Sequence, residues 1–347
     1  MPDFLRVILI ALAIVAVLAV LLVVLRRRMA QAGIYVTLRT KFGPALVFPV
    51  EGDDGEPVRI LNVGGMYQSA TYLDDDRVYD LVFEYTKLYD RMFEAAPVFQ
   101  AEAEGGVPAG ETPQAPVAPQ DLAAPATCPH LPIRNVLMIG GGGYSYPKHL
   151  ISTHPDVRMD VVEVDPAITS LAQRYFFLDR LFAEFDLDET GRLGLHTADG
   201  RAFLERRAAE LRDPDVPAAP SRYDAILNDS FSGKEPVASL ATVEAARLAH
   251  ACLREGGLYL TNVVSALSGE NARLIRAVVA TLSQVFAHVY VIPCEDDDEF
   301  ADRDNNMVIA SDGAYEFPGA YDVARLKVGP ADPVLTDADN PVAELAK

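Results

Sequence analysis

The sequence predicts an α/β protein: a mostly parallel sheet of seven strands covered by helices, preceded by a small β-rich module and one membrane-length helix. Two observations carry the main domain. Asn135 to Asp165 reads as strand, glycine turn, helix, strand and acid, and from there to about Ala310 apolar runs alternate with helical patterns. A third, the unbroken apolar run Val7–Leu25, sets the N-terminal helix apart. Half of the residues are hydrophobic, ample for a core in a chain of 347 residues.

In chain order, Val7–Leu25 is a run of about 19 apolar residues, long enough to cross a bilayer. Arg26, Arg27 and Arg28 follow it, with Arg39 and Lys41 beyond and only Arg6 before. This asymmetry predicts an uncleaved single-pass anchor over 4–26 at the cell membrane, with the main domain facing the cytoplasm. Ala30-Gln31-Ala32 has the look of a signal cleavage site, but the apolar run is long for a signal peptide and no basic region precedes it.

Residues 33–96 read as a small β-rich module with strands at Tyr35–Leu38, Leu46–Val50 and Val58–Val63. It closes with a helix over Arg77–Phe93, whose Val78, Leu81, Val82, Tyr85, Leu88, Tyr89 and Met92 recur at helical spacing as expected core residues. Residues 97–132 are rich in Ala, Pro, Glu and Gly and lack large apolar side chains. Such a composition cannot offset chain entropy by burial, which predicts a disordered tether.

The main domain fills 133–347. Its strands are expected at Asn135–Ile139, Arg158–Val164, Arg192–Thr197, Tyr223–Asn228, Gly257–Val263, His288–Pro293 and Asn306–Ala310. Helices fall at Tyr144–His154, Pro166–Phe176, Gly200–Glu210, Val237–Leu253 and Asn271–Phe286. The last two strands have an acidic loop and no helix between them, so the last is expected to run antiparallel. Gly140–Gly143 let backbone approach a ligand where a Cβ would clash. The strict dinucleotide fingerprint requires glycine at 145, where Ser145 stands.

A net charge of −20 excludes nucleic acid as an expected partner, since phosphate binding needs a basic face. Cys128, Cys252 and Cys294 are far apart and form no metal or redox spacing, and no metal is expected. The acidic run Glu295–Asp298 has no oxygen-ligand spacing and reads as a solvated loop.

The segments IGGGGYS, VVEVDP, HTADGRAFL, YDAILNDSFSG and LREGGLYLTNV, in that order and spacing, resemble spermidine synthases. GGMYQSATYLDDDRVYDLVFEYTKLYD and VLTDADNPVAEL are similar to the membrane-attached bacterial subgroup of that family. The resemblance covers Leu61 to the end apart from the tether. It implies a Rossmann-like, methyltransferase-type sheet and a transferase acting on a small-molecule amine. The co-substrate would be decarboxylated S-adenosylmethionine, whose aminopropyl group moves to the amine. The alternatives are methyl transfer from S-adenosylmethionine and a non-catalytic nucleoside-binding module at the membrane; a homodimer is one expectation for assembly.

Carried over residue by residue, Gly140, Gly141 and Gly142 would pass the methionine-derived part of the donor, and Glu163 would hold the ribose hydroxyls. Asp199 would accept from the adenine amino group, with Gly200 supporting that edge; Asp199 also reads as a helix N-cap. Asp229 would serve the attacking amine as base, and Gln68 and Tyr79 would cover the amine end. Three positions depart from the family: Gly143, Ser232 and Leu81 stand where its members carry carboxylates. Each lost charge-assisted contact costs about 1.5–3 kcal/mol, which weakens polyamine recognition and leaves the adenosyl residues in place. Gly143 in place of aspartate would leave room for the carboxylate of intact S-adenosylmethionine.

Overall fold

The computed structural model describes residues 3–98, 131–213, 215, 221–232, 235–294 and 300–346. The expected tether lies outside these residues except at its ends, as do Cys128 and residues 295–299 of the acidic run. The first described element is α1 (Asp3–Gln31), whose apolar side chains from Ile10 to Leu25 are exposed. Gly33, at φ +70°, ends the helix, and its N–H donates to the Ala30 carbonyl at 3.1 Å.

Strands β1 (Tyr35–Thr40), β2 (Gly43–Glu51), β3 (Pro57–Val63) and β4 (Met66–Tyr72) form an antiparallel sheet in sequence order. Sequence periodicity locates the first three; β4, MYQSATY, escapes it because small and polar Ser69 and Thr71 are buried there against the main domain. The expected helix over Arg77–Phe93 is a correction. Only α2 (Glu84–Lys87) and a 3-10 segment, Leu88–Phe93, are helical, and residues 77–83 are irregular, with a turn at Val78 and Tyr79. The Val78 carbonyl accepts from Thr71 Oγ1 at 3.1 Å and Lys148 Nζ at 3.2 Å, so tertiary partners replace the helical one. Arg77 stacks on Tyr72 and pairs with Asp54 and Asp80, which holds the turn.

After the short β5 (Ala96–Pro97), the main domain alternates β6 (Asn135–Ile139), α3 (Ser145–Thr153), β7 (Arg158–Glu163), α4 (Pro166–Tyr175), α5 (Leu178–Glu184), α6 (Leu187–Thr190), β8 (Leu193–Thr197), α7 (Gly200–Glu210) and β9 (Tyr223–Asn228). A two-stranded hairpin of β10 (Phe231–Ser232) and β11 (Glu235–Pro236) precedes α8 (Val243–Cys252), β12 (Leu253–Ser265), α9 (Arg273–Leu282), β13 (His288–Pro293) and β14 (Asp304–Ser311). β15 (Tyr315–Glu316) pairs with β5, and α10 (Val342–Leu345) closes the chain.

The main sheet has seven strands in the order β13-β14-β12-β9-β6-β7-β8. β14 runs antiparallel to both neighbours, as the missing crossover helix requires. Buried side chains pack on both faces. One core joins β6, β7 and α3–α5 to the N-terminal module, and the other joins β9 and β12 to α7, α8 and α9. The order changes direction between β6 and β9, and ligands of open α/β sheets bind beyond the carboxyl ends of strands at such a point.

The N-terminal module docks across those carboxyl ends. The Lys41 N–H donates to Asp165 Oδ2 at 2.6 Å, and its Nζ to the Val164 carbonyl at 2.7 Å. Arg59 donates to the Tyr175 carbonyl at 2.6 Å, and Ser145 Oγ to the Ala70 carbonyl at 2.8 Å. Lys148, 1% exposed on α3, reaches Thr71 Oγ1 at 3.1 Å but meets no carboxylate among the described residues. Burial, reinforced by the nearby Arg59 charge, pushes its ammonium down to about 7.

A lysine titrating lower folded than unfolded binds fewer protons when folded between the two values, so stability is gained as pH rises from about 7 toward 10 and lost as it falls. Thermal melts of wild type and Lys148→Met at pH 7 and pH 9 are expected to show wild type gaining on the variant at pH 9. A difference independent of pH contradicts the buried-ammonium account.

Candidate active site

The carboxyl ends of β6, β7, β8, β9 and β12, roofed by the β-rich module, enclose a cavity of about 920 Å³. Gly140, Gly141, Gly142, Glu163, Asp199, Gly200, Asp229 and Gln68 all line it, so eight of the nine residues expected from the sequence meet in one place.

The glycine turn is shaped by its neighbours. Gly140 has φ +98°, and a Cβ there would lie 2.3 Å from the Asp229 carbonyl oxygen, so no other residue fits. Gly200 is similarly confined, since its Cβ would meet Ile139 Cγ2 at 2.4 Å. Glu163 ends β7 with its carboxylate turned onto the turn: Oε2 accepts from the N–H groups of Gly141 and Gly142 at 2.9 and 3.1 Å, and Oε1 from Asp165 N–H at 2.9 Å. Burial raises its pKa against these hydrogen bonds. Three of about four acceptor positions are therefore taken within the protein, and Glu163 holds the loop as well as facing the cavity. Asp199 caps α7 through Oδ1 and the Ala202 N–H at 2.9 Å, while its exposed side chain also borders the cavity.

Gly143 does not leave the vacancy expected for a donor carboxylate. Its N–H donates to Ser69 Oγ at 2.7 Å, and a Cβ at this position would lie 2.6 Å from Ser69 Cβ and 3.1 Å from Phe176. The serine of β4 fills the space that an aspartate side chain would need.

Asp229 follows β9 directly, and its backbone N–H continues the sheet by donating to the Ile139 carbonyl at 2.9 Å. Tyr85 Oη donates to Asp229 Oδ2 at 3.4 Å, and the fully buried Tyr89 hydroxyl faces the same carboxyl without a hydrogen bond of good geometry. Burial pushes the Asp229 carboxyl up to about 6, against the opposing pull of Asn262, Tyr85 and Tyr89. A carboxyl poised there is ionised at neutral pH yet basic enough to accept a proton.

Tyr79 is the expected residue that the structure places elsewhere. It does not line the cavity; its hydroxyl donates to Glu184 Oε2 at 2.6 Å, and its ring packs edge-on against Phe185. Residues 77–83 are irregular rather than helical, and this carries Tyr79 to the outer joint between module and main domain. Tyr85, expected in the core, takes the position beside Asp229. Leu81 is 6% exposed in the core, so the carboxylate missing there is replaced by packing. Asn262, Asn305, Arg303, Lys41 and Ser69 also border the cavity, and none of them stands out in the sequence as a site residue.

Residues 118–294 match the spermine/spermidine synthase domain family. The chain belongs to this family. A polyamine aminopropyltransferase from Vibrio vulnificus is 30% identical over 155 residues, covering 45% of this chain and 44% of that protein. An eEF1A lysine and N-terminal methyltransferase from Mus musculus is 27% identical over 163 residues, covering 45% of this chain and 20% of that protein. The matches thus span less than half the length of either curated relative. Among solved structures, that of a probable spermidine synthase from Corynebacterium glutamicum superposes with a TM-score of 0.58 at 19% identity. The match covers 88% of this chain and 96% of that one, and it shows the shared fold.

Proposed function

We propose that this synthase-family chain transfers an aminopropyl group from decarboxylated S-adenosylmethionine to an amine, with Asp229 as the base. The observation that carries this reading is a carboxyl titrating at about 6 in the wall of the cavity, next to the glycine turn. The glycine turn, Glu163, Asp199 and Gly200 form the half suited to the adenosyl donor, and Gln68 borders the cavity from the module. A neutral amine nitrogen attacks the methylene beside the sulfonium. The new C–N bond forms as the C–S bond breaks, and the sulfur leaves as the thioether of methylthioadenosine, keeping the electron pair. Asp229 takes the proton that the amine sheds, while its negative charge favours the cationic donor and acceptor. The Tyr85 hydroxyl, whose pKa burial raises well above its ordinary value, stays protonated and steadies the carboxylate.

Methyl transfer is the second reading, favoured by the methyltransferase relative. Its argument from space at Gly143 is lost, because Ser69 occupies that space. We further read α1 as a single membrane-spanning anchor with the main domain on the cytoplasmic side, supported by its 29-residue length and the arginines that follow the apolar run.

The donor half is tested by calorimetric titration with methylthioadenosine. Asp199→Ala is expected to weaken binding about ten- to a hundredfold through loss of one charged acceptor. Its folding cost as a lost N-cap, about 1 kcal/mol, is read separately from the melting temperature. Unchanged affinity in a folded variant contradicts the assignment of Asp199 to the donor.

A further inference from the structure

The acceptor half of the cavity is built from the ends of three adjacent strands, β9, β12 and β14. Asp229 follows β9, whose Asn228 pairs with Thr261, so Asp229 stands beside Asn262 of β12. Asn262 Nδ2 donates to Asn305 Oδ1 at 2.9 Å, which carries the polar row across to β14. Asn262 is 5% exposed, and its Oδ1 has no partner among the described residues. Because β14 runs antiparallel, its beginning, and not its end, lies at this edge of the sheet. Arg303, the residue before β14, therefore also borders the cavity.

Arg303 is a cation with no ion pair among the described residues. Its two terminal nitrogens donate to the backbone carbonyls of Ala346 and Leu345 at 2.5 and 3.4 Å, and it meets no carboxylate among the described residues. Those contacts use two of the five guanidinium donors, leaving a planar fork suited to an anion. The other charged residues lining the cavity, Asp229 apart, stand on the β7–β8 side, away from β14: Lys41 donates to the Val164 carbonyl, Glu163 holds the glycine turn and Asp199 follows β8. The acceptor half thus offers one carboxylate at one end and one guanidinium at the other. Two strand spacings, and the register that sets Asn262 opposite Met307 and so Arg303 four residues further along, separate their backbones by roughly 16 Å, a gap that the long arginine side chain shortens.

A linear diamine would place its second ammonium against Arg303, where nothing among the described lining residues balances it. A molecule with an amine at one end and a carboxylate at the other matches both charges. We propose that the acceptor is an ω-amino acid, or a diamino acid reacting through its distal amine, whose carboxylate is held by Arg303. The distal nitrogen then lies at Asp229, and the intervening methylenes lie along the Asn262–Asn305 row. This rests on the aminopropyl-transfer reading for the role of Asp229, and it names the acceptor class that the reading leaves open.

The test is equilibrium binding of 6-aminohexanoate and 1,6-diaminohexane to the full chain, with and without saturating methylthioadenosine. Neither probe requires turnover, so failure of aminopropyl transfer and failure of this proposal give different results. The amino acid is expected to bind at least tenfold tighter than the diamine. Arg303→Gln is expected to weaken the amino acid about ten- to a hundredfold and to leave the diamine unchanged or tighter. Arg303→Lys, which keeps the charge but not the fork, should retain part of the preference. Methylthioadenosine affinity and melting temperature, read in parallel, separate this role from simple anchoring of the C-terminal tail. The proposal is overturned if the diamine binds as tightly as the amino acid, if neither binds, or if Arg303→Gln weakens both probes alike or neither.

Discussion

Asp229→Asn is expected to lower aminopropyl turnover by about a hundredfold or more while leaving methylthioadenosine affinity within a few fold. The substitution keeps the shape and removes the charge and the base beside Tyr85 and Asn262. Wild-type turnover should itself fall as pH drops through about 6, where the carboxylate protonates, and this limb should vanish in the variant. Stability has the opposite dependence. A carboxyl titrating higher folded than unfolded binds more protons when folded between the two values, so wild type loses stability as pH rises through that interval to about 6. The variant should therefore gain on wild type in melting temperature between pH 4 and pH 8. An aspartate with only a structural role would show turnover and nucleoside binding falling together, with no pH-dependent crossover.

Gly143→Asp is expected to be the most damaging substitution that returns a family residue to this chain. The new Cβ would enter the space of Ser69, at 2.6 Å, and press on Phe176 at 3.1 Å. Overpacking of this kind costs about 1–3 kcal/mol, and burying a carboxylate without a partner adds to it. Differential scanning calorimetry should show a large loss of stability and weaker donor binding. Ser69→Gly in the same chain removes the opposing Cβ and Oγ and should recover much of the loss, because the two residues touch and their effects are coupled. If Gly143→Asp alone is neutral, the module does not seat on the turn as described.

What was readable in the sequence follows from periodicity and local chemistry. The strands of the main sheet are apolar runs bounded by turns, and their places agree to within a few residues, the larger differences being the extended ends of β12. Gly140, Glu163, Asp199 and Asp229 stand at strand ends, and the fold alone gathers such positions at one edge. The other cavity residues depend on packing between distant segments, which local pattern does not encode. Ser69 and Tyr85 matter because the module docks on the glycine turn, and Arg303 because β14 reverses direction. The helix expected over Arg77–Phe93 failed for the same reason. Its spacing was helical, but the Val78 carbonyl found Thr71 and Lys148 instead of its own helix, and Tyr79 went with the turn.

This cavity is expected to join an adenosyl donor to an amine through carbon–nitrogen bond formation. Mass spectrometry of products tests it most directly, after incubating the full chain with decarboxylated S-adenosylmethionine and a panel of amines and ω-amino acids. The predicted result is an acceptor heavier by one aminopropyl group, released together with an equal amount of methylthioadenosine and absent in Asp229→Asn. Binding of methylthioadenosine with no aminopropyl product from any acceptor, or methylated product from S-adenosylmethionine instead, would contradict it.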